Sequence, residues 1–273
     1  NTPELTLRHA NNPDHFLDIE DLAAYGLKAE QLSPFRYEFI GQLAVARAAH
    51  PERFPTNAPG KENDRLQGIP GLLPWTINEY YAKLKSTFSS LKVYEELGTP
   101  TEISNARANT VYLMGVMGHY VGDSAQPLHT TKHFNGWVGE NPHGYTTRKT
   151  FHSWIDGGYL RKIGGIDADH LRSRLQPAHS LWSGDPKAPH GDVFTETTAF
   201  LMEQFKQVEP LYQLDRDGKL SGEGEHGMEG RAFMQQQFIK AAQQLGNLWY
   251  SAWQQAVPDT YLKSQLTRRQ PAQ

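Results

Sequence analysis

The chain has 273 residues, of which 38% are hydrophobic and 21% charged, and a formal net charge of −3. That balance fits a globular protein long enough to bury a core, and it leaves no global field to draw a polyanion. The absence of cysteine excludes disulfides, thiolate zinc ligands and cysteine nucleophiles, and no apolar run nears the roughly 20 residues needed to cross a membrane.

In chain order, Asn1-Thr2-Pro3-Glu4 reads as the interior of a longer sequence or a processed end, and no charged-then-apolar signal segment opens the chain. Residues 1–34 show no sustained period. They hold a turn at Asn11-Asn12-Pro13-Asp14 and then His15-Phe16-Leu17-Asp18. Phe35, Phe39, Leu43, Ala46 and Ala49 recur at helical spacing, with Ser33 as cap and Pro34 at the first helical position. Residues 51–74 carry five prolines and read as a long loop. A helix from Trp75 to Leu97 follows, with Ile77, Tyr80, Tyr81, Leu84, Phe88, Leu91 and Tyr94 as its buried stripe. The next helix, Thr101 to Tyr120, opens on Thr99-Pro100. Met114 and Met117 fill gaps in it, and Gly115 and Gly118 permit close approach.

Residues 130–147 are irregular and rich in Gly, Asn and His. Helices are expected over Thr150–Lys162, Ala168–Leu175 and Asp192–Val208. A mobile acidic loop is expected over Asp215–Gly227, and a last helix over Met228–Ala256. That helix buries Phe233, Phe238, Ala241, Leu245, Leu248, Trp249 and Trp253, and the tail after Asp259 frays. No strand series, repeat or dividing linker appears. The expectation is one all-α, mainly helical domain with long loops over residues 1–273.

The chemistry concentrates in His119-Tyr120-Val121-Gly122-Asp123-Ser124-Ala125-Gln126-Pro127-Leu128-His129. His119 and Asp123 lie one helical turn apart and share a face. Pro127 ends the helix and pushes Gln126 towards an extended conformation, so His129 is presented from another direction. His152 and Asp156 repeat the spacing on a second helix. One such pair alone reads equally well as a surface hydrogen bond. Two pairs plus His129 make an imidazole–carboxylate set suited to zinc, enough for two ions clamping a phosphate ester.

Gly122-Asp123-Ser124 lacks the preceding strand that a serine nucleophile motif requires. Of the Glu-x-x-His matches, Glu140 to His143 contains a proline and Glu223 to His226 lies in the acidic, Gly-rich loop, which argues against a di-iron bundle. The glycine fingerprint of a dinucleotide fold is absent.

The segment Gly-Asp-x-x-Gln-Pro-Leu-His within residues 119–129, Phe151-His152-Ser153-Trp154-Ile155-Asp156 and His15-Phe16-Leu17-Asp18 resemble the superfamily of zinc-dependent phospholipases C and single-strand-specific zinc nucleases. The match covers roughly residues 12–160. It implies a secreted or periplasmic bacterial metal-dependent phosphodiesterase that cleaves phospholipid or single-stranded nucleic acid through a metal-bridged hydroxide. By the resemblance, His15, His119 and Asp123 hold a first zinc, His129, His152 and Asp156 a second, and Asp123 reaches a third. Phe16 and Asp18 match nucleobase-holding positions; a core phenylalanine and a loop-capping aspartate are the alternatives. His133 and His143 contact phosphate or cap their loop, and Lys132 and Arg148 are candidates for substrate charge. His50, His170, His179, His190 and His226 read as solvent-facing.

The chain departs from the pattern at its start. The family's N-terminal tryptophan and next histidine have no counterpart, and His9 lies too close to His15 to replace that histidine. Glu4 is the nearest candidate for the acidic ligand and base, at unusual spacing, so a missing N-terminal segment is the expectation. A family member that binds zinc without turnover is the alternative.

Overall fold

The structure is a computed structural model that describes residues 11–54, 69–182 and 191–269. Glu4, His9, His190 and the middle of the 51–74 loop lie outside the described residues. Among the described residues there are helices and no sheet, as expected for an all-α fold. The β pairings among them are the isolated bridges of Leu17 with Gly71 and Phe134 with Gly136. None of these helices is long and apolar enough to cross a membrane.

Helix α1 spans Arg36–Ala49, α2 Leu73–Leu97 and α3 Pro100–Ala125. Residues 151–162 form α4, whose central Trp154–Gly158 is π-helical. Then come α5 (Ala168–Arg172), α6 (Gly191–Phe205), α7 (Val208–Arg216), α8 (Gly224–Gly227), α9 (Arg231–Gln255) and α10 (Thr260–Thr267). Helices α2, α3 and α9 pack on one another, and α6 closes the side of α2 and α3.

Two buried clusters result. The first gathers Leu17, Phe39, Trp75, Tyr81, Met117, Val121, Phe194 and Leu248. Its centre is the Trp75 indole, stacked on Phe39 at 4.1 Å with its N–H donating to Ser33 O. The second gathers Leu128, Phe151, Ile155, Tyr159, Tyr212 and Met234.

Several expected boundaries move, for identifiable reasons. Thr99 forms the N-cap of α3 in a capping box with Glu102, but the helix runs past Tyr120 to Ala125. The proline restriction falls only on Gln126, which takes φ −90° and ψ 114°. Ser33 does not cap α1; Phe35 holds the N-cap position, and the Ser33 hydroxyl donates to Glu38. The Asp192–Val208 helix ends at Phe205, and a separate α7, which was not expected, runs from Val208 into the first two residues of the expected mobile loop. Among the described residues, the chain after Asp259 is helical where fraying was expected. Asp259 caps α10 by accepting from Leu262 N, and Lys263 pairs with Glu96.

The buried face of α9 matches expectation at Phe233, Leu245, Leu248 and Trp249 and departs from it elsewhere. Phe238 and Trp253 are exposed, while Gln237, Gln244, Asn247 and Ser251 are buried. Part of this face receives the backbone of residues 176–181. Gln243, Asn247 and Ser251 accept from the N–H groups of Gln176, His179 and Leu181. An extended backbone with no strand partner needs such acceptors, and hydrophobic periodicity does not reveal that need.

The segment carrying His15 is held by its backbone. Leu17 N donates to His129 O at 2.9 Å, Asp18 N to Pro70 O at 2.6 Å, Leu72 N to Pro13 O at 2.6 Å and Leu73 N to Phe16 O at 3.2 Å. Arg36 adds a side-chain staple, donating to Asp14, Thr76 and Glu79. Gly71 makes the approach possible. Its φ is +109°, and a Cβ there would sit 2.0 Å from Phe16 O. Gly71→Ala is expected to lower stability by about 1–3 kcal/mol from backbone strain alone and to displace His15. Thermal melting checks this; an unchanged melting temperature would show that the clamp tolerates a side chain.

Candidate metal centre

The structure brings together six residues that the sequence placed on four separate segments. His15 ends a 3-10 turn, Asn12–His15, and His119 and Asp123 project from the last turns of α3. His129 sits in the 3-10 turn Pro127–Thr130, and His152 and Asp156 lie on α4. They fall into two groups, His15–His119–Asp123 and His129–His152–Asp156. Within each group the potential ligand atoms lie within 4.8 Å of one another. Among the described residues no third group of this kind occurs.

In the first group His15 Nδ1 lies 2.9 Å from Asp123 Oδ2 and 3.1 Å from His119 Nε2, and His119 Nε2 is 3.4 Å from Asp123 Oδ2. In the second, His152 Nε2 is 3.2 Å from His129 Nε2 and 3.0 Å from Asp156 Oδ2. Tetrahedral zinc bonded at about 2.0–2.1 Å separates its ligand atoms by roughly 3.3 Å. The donor sets therefore have the chemistry and the spacing for zinc. The groups are linked, because Asp123 Oδ1 faces His129 Nε2 at 3.9 Å. They are also open: the His119 side chain is 59% exposed and that of Asp156 45%.

Neighbouring groups fix which ring nitrogens point inward. His129 Nδ1 lies 2.6 Å from His15 O, and His152 Nδ1 3.2 Å from Phe134 O. A carbonyl can only accept, so each Nδ1 carries the proton and each Nε2 keeps its lone pair for a ligand role. Gln126 supplies a link that sequence spacing did not suggest. Its amide donates to Asp156 Oδ1 at 2.9 Å and accepts from Leu128 N at 2.6 Å. It thereby orients the carboxylate and holds the turn that carries His129. The π-helical stretch around Asp156 widens α4 where the ligand sits, a local distortion frequent at functional sites.

The protonation equilibria follow from the same contacts. The hydrogen bond to Asp123 raises His15 against the pull of burial. Burial lowers His129. In His152 burial opposes the charged form, but the bond to Asp156 and its charge outweigh it, and the net direction is up. Burial alone would raise Asp156, yet His152 and Gln126 bring it below the ordinary carboxylate value.

The expected substrate-contact residues fall differently. Phe16 and Asp18 follow His15 in the clamped segment, both part-buried. Burial, with Asp21 and Glu20 nearby, pushes Asp18 up to about 8. His133 is buried and stacked on Trp137 at 3.9 Å; its Nδ1 accepts from Val138 N and its carbonyl accepts from Tyr212. Burial, with the positive charge of Lys132, lowers it to about 4. These contacts make His133 a packing residue of the second cluster and lend its expected substrate role no support. Arg148 is paired with Asp215, while Lys132 is exposed. His143 stays in its loop, its carbonyl accepting from Arg216. His50, His170, His179 and His226 are exposed.

The wall opposite these ligands comes from α9, which the sequence did not connect to the site. A cleft of about 730 Å³, mouth included, runs from Asp123, His129 and Asp156 to Phe233, Gln237 and Phe238. No protein-family profile, curated protein or solved structure matches this chain.

The Asp18 carboxyl gives a signed pH dependence. Its folded value of about 8 lies above the ordinary 3.8, so the folded state retains a proton that the unfolded chain loses. Stability is full at pH below the unfolded value and falls as pH rises through the folded one. Asp18→Asn is expected to flatten the stability–pH curve between about pH 4 and 8; denaturant titrations across that range measure it, and parallel curves would refute the burial effect.

Proposed function

We propose that this chain is a zinc-dependent hydrolase of phosphate esters, a phosphodiesterase of the kind its sequence motifs resemble. One observation carries the reading: two open His–His–Asp sets, each with its potential ligand atoms within 4.8 Å of one another, adjoin through the Asp123 carboxylate. A structural zinc site closes its coordination with protein ligands, whereas three protein ligands leave a position for water or substrate. Paired open sites suit displacement at phosphorus.

In this reading His15, His119 and Asp123 hold one zinc, and His129, His152 and Asp156 the other. Zinc in such sites lowers the pKa of water and neutralises charge developing on a phosphoryl group. The chain's own contribution is orientation. Backbone carbonyls of His15 and Phe134 set the two Nε2 lone pairs of the second set, Gln126 turns Asp156, and Asp123 spans both sets with its two oxygens. Glu4, the other expected catalytic residue, lies outside the described residues.

The zinc-loaded full chain is expected to hold about two zinc ions by elemental analysis and to hydrolyse bis(4-nitrophenyl) phosphate in a chelator-sensitive way. His119→Ala should remove about one of them. Fewer than one zinc per chain would defeat the reading, and full zinc without hydrolysis of any phosphodiester would leave a binding protein. Gln126→Leu should weaken zinc at the second set by about 10–100-fold, seen as earlier loss of one ion in a chelator titration; equal retention would remove Gln126 from the orienting role.

A further inference from the structure

The second ligand set depends on a turn that carries no ligand of its own. Residues 133–136 lie against the start of α4 and meet His152 twice. Phe134 O lies 3.2 Å from His152 Nδ1 and accepts its proton, and Asn135 Oδ1 accepts from His152 N, also at 3.2 Å. The imidazole presents Nε2 to the ligand set only while Phe134 O keeps its place. That carbonyl belongs to irregular backbone, whose polar groups must find partners elsewhere in the fold.

Tyr212, on α7, supplies them. Its phenol O–H donates to His133 O, and its oxygen accepts from Gly136 N at 3.1 Å. One hydroxyl thus closes both ends of the turn whose middle holds Phe134 and Asn135. Gly136 lets the turn close against the next strand of loop: its φ is +92°, and a Cβ there would lie 2.6 Å from the Thr147 carbonyl carbon. The Tyr212 ring is fully buried and packs on Phe151, the residue before His152, with centroids 4.6 Å apart. The same side chain therefore seats both the turn and the helix that the turn aligns. Burial raises the phenol pKa, so the group keeps the proton it donates. A phenylalanine would pack as well, but it would leave His133 O and Gly136 N, both on buried residues, without this partner.

We propose that Tyr212 is a positioning residue for the second ligand set: acting through residues 133–136, its hydroxyl holds His152 with Nδ1–H on Phe134 O and Nε2 free for zinc. This rests on the zinc reading above and adds to it a residue that lies outside the ligands. Tyr212 does not line the cleft, so its effect on zinc passes through the turn and α4.

Tyr212→Phe in the zinc-loaded full chain tests this, because it keeps the ring and removes the hydroxyl. Two backgrounds separate the ions: with His119→Ala the zinc retained belongs to the second set, and with His152→Ala to the first. In chelator titrations Tyr212→Phe is expected to weaken the second-set zinc by about tenfold and to leave the first-set zinc unchanged. Proton exchange gives a second readout by NMR. The His152 Nδ1–H should exchange slowly with water in the unaltered protein and faster in the variant. A tyrosine needed only for packing would lower the melting temperature and move neither. Unchanged second-set affinity, an unchanged His152 exchange rate or equal weakening of both sets would overturn the proposal. Fast exchange of the Gly136 amide in the unaltered protein would overturn it as well, whether or not the variant folds. If the unaltered chain bound no zinc, the metal reading would fall and this proposal with it, whereas zinc bound normally with no effect of the hydroxyl sinks the proposal alone.

Discussion

The Asp123 carboxylate sits among three imidazoles, and the arrangement around it depends on keeping it there. Its Oδ2 meets His15 and His119, and its Oδ1 faces His129. A carboxylate held between basic rings in a part-buried position resists desolvation only while those rings stay close. Each ring arrives by a different route: His119 from the preceding turn of the same helix, His15 from a clamped irregular segment, and His129 from the turn after the helix. The length of α3 therefore sets the geometry of this cluster. Had it ended at Tyr120, Asp123 would have left the helix and lost its register with His119.

The two ligand sets hang on different cores. His119 and Asp123 flank Val121 and share α3 with Met117, both of the first cluster. His129 follows Leu128, and His152 and Asp156 flank Ile155, both of the second. The site lies where the two clusters meet, and the Leu17–His129 backbone bond ties them directly. Both sets stand on packed elements, which fixes the spacing of their imidazoles and carboxylates. The cleft at this junction also takes a wall from a third element, α9.

Much of this was legible in residue spacing. The His-x-x-x-Asp pairs announced themselves because a helix returns to the same face every four residues. Pro127 announced the turn because its ring restricts Gln126. Helix existence was equally readable from apolar periodicity in α1 to α3. Boundaries and faces were less so. The expected Phe238 and Trp253 core positions are exposed, because α9 spends part of its inward face on the N–H groups of residues 176–181. The polar residues that do this look like surface in a hydropathy pattern. His133 gave no sign that it would stack on Trp137, since burial of a loop histidine depends on what folds over it.

The sequence by itself determined most of the helices, the two His-x-x-x-Asp pairs and the break that sets His129 apart, because each follows from local geometry over a few residues. Only the tertiary structure decided that the pairs converge, that Gln126 orients Asp156, that Gly71 admits the His15 segment, and that α9 faces the site. Those outcomes depend on contacts between residues tens to more than a hundred positions apart. Such contacts are fixed by packing and by pairing of buried polar groups, and neither has a local period to read.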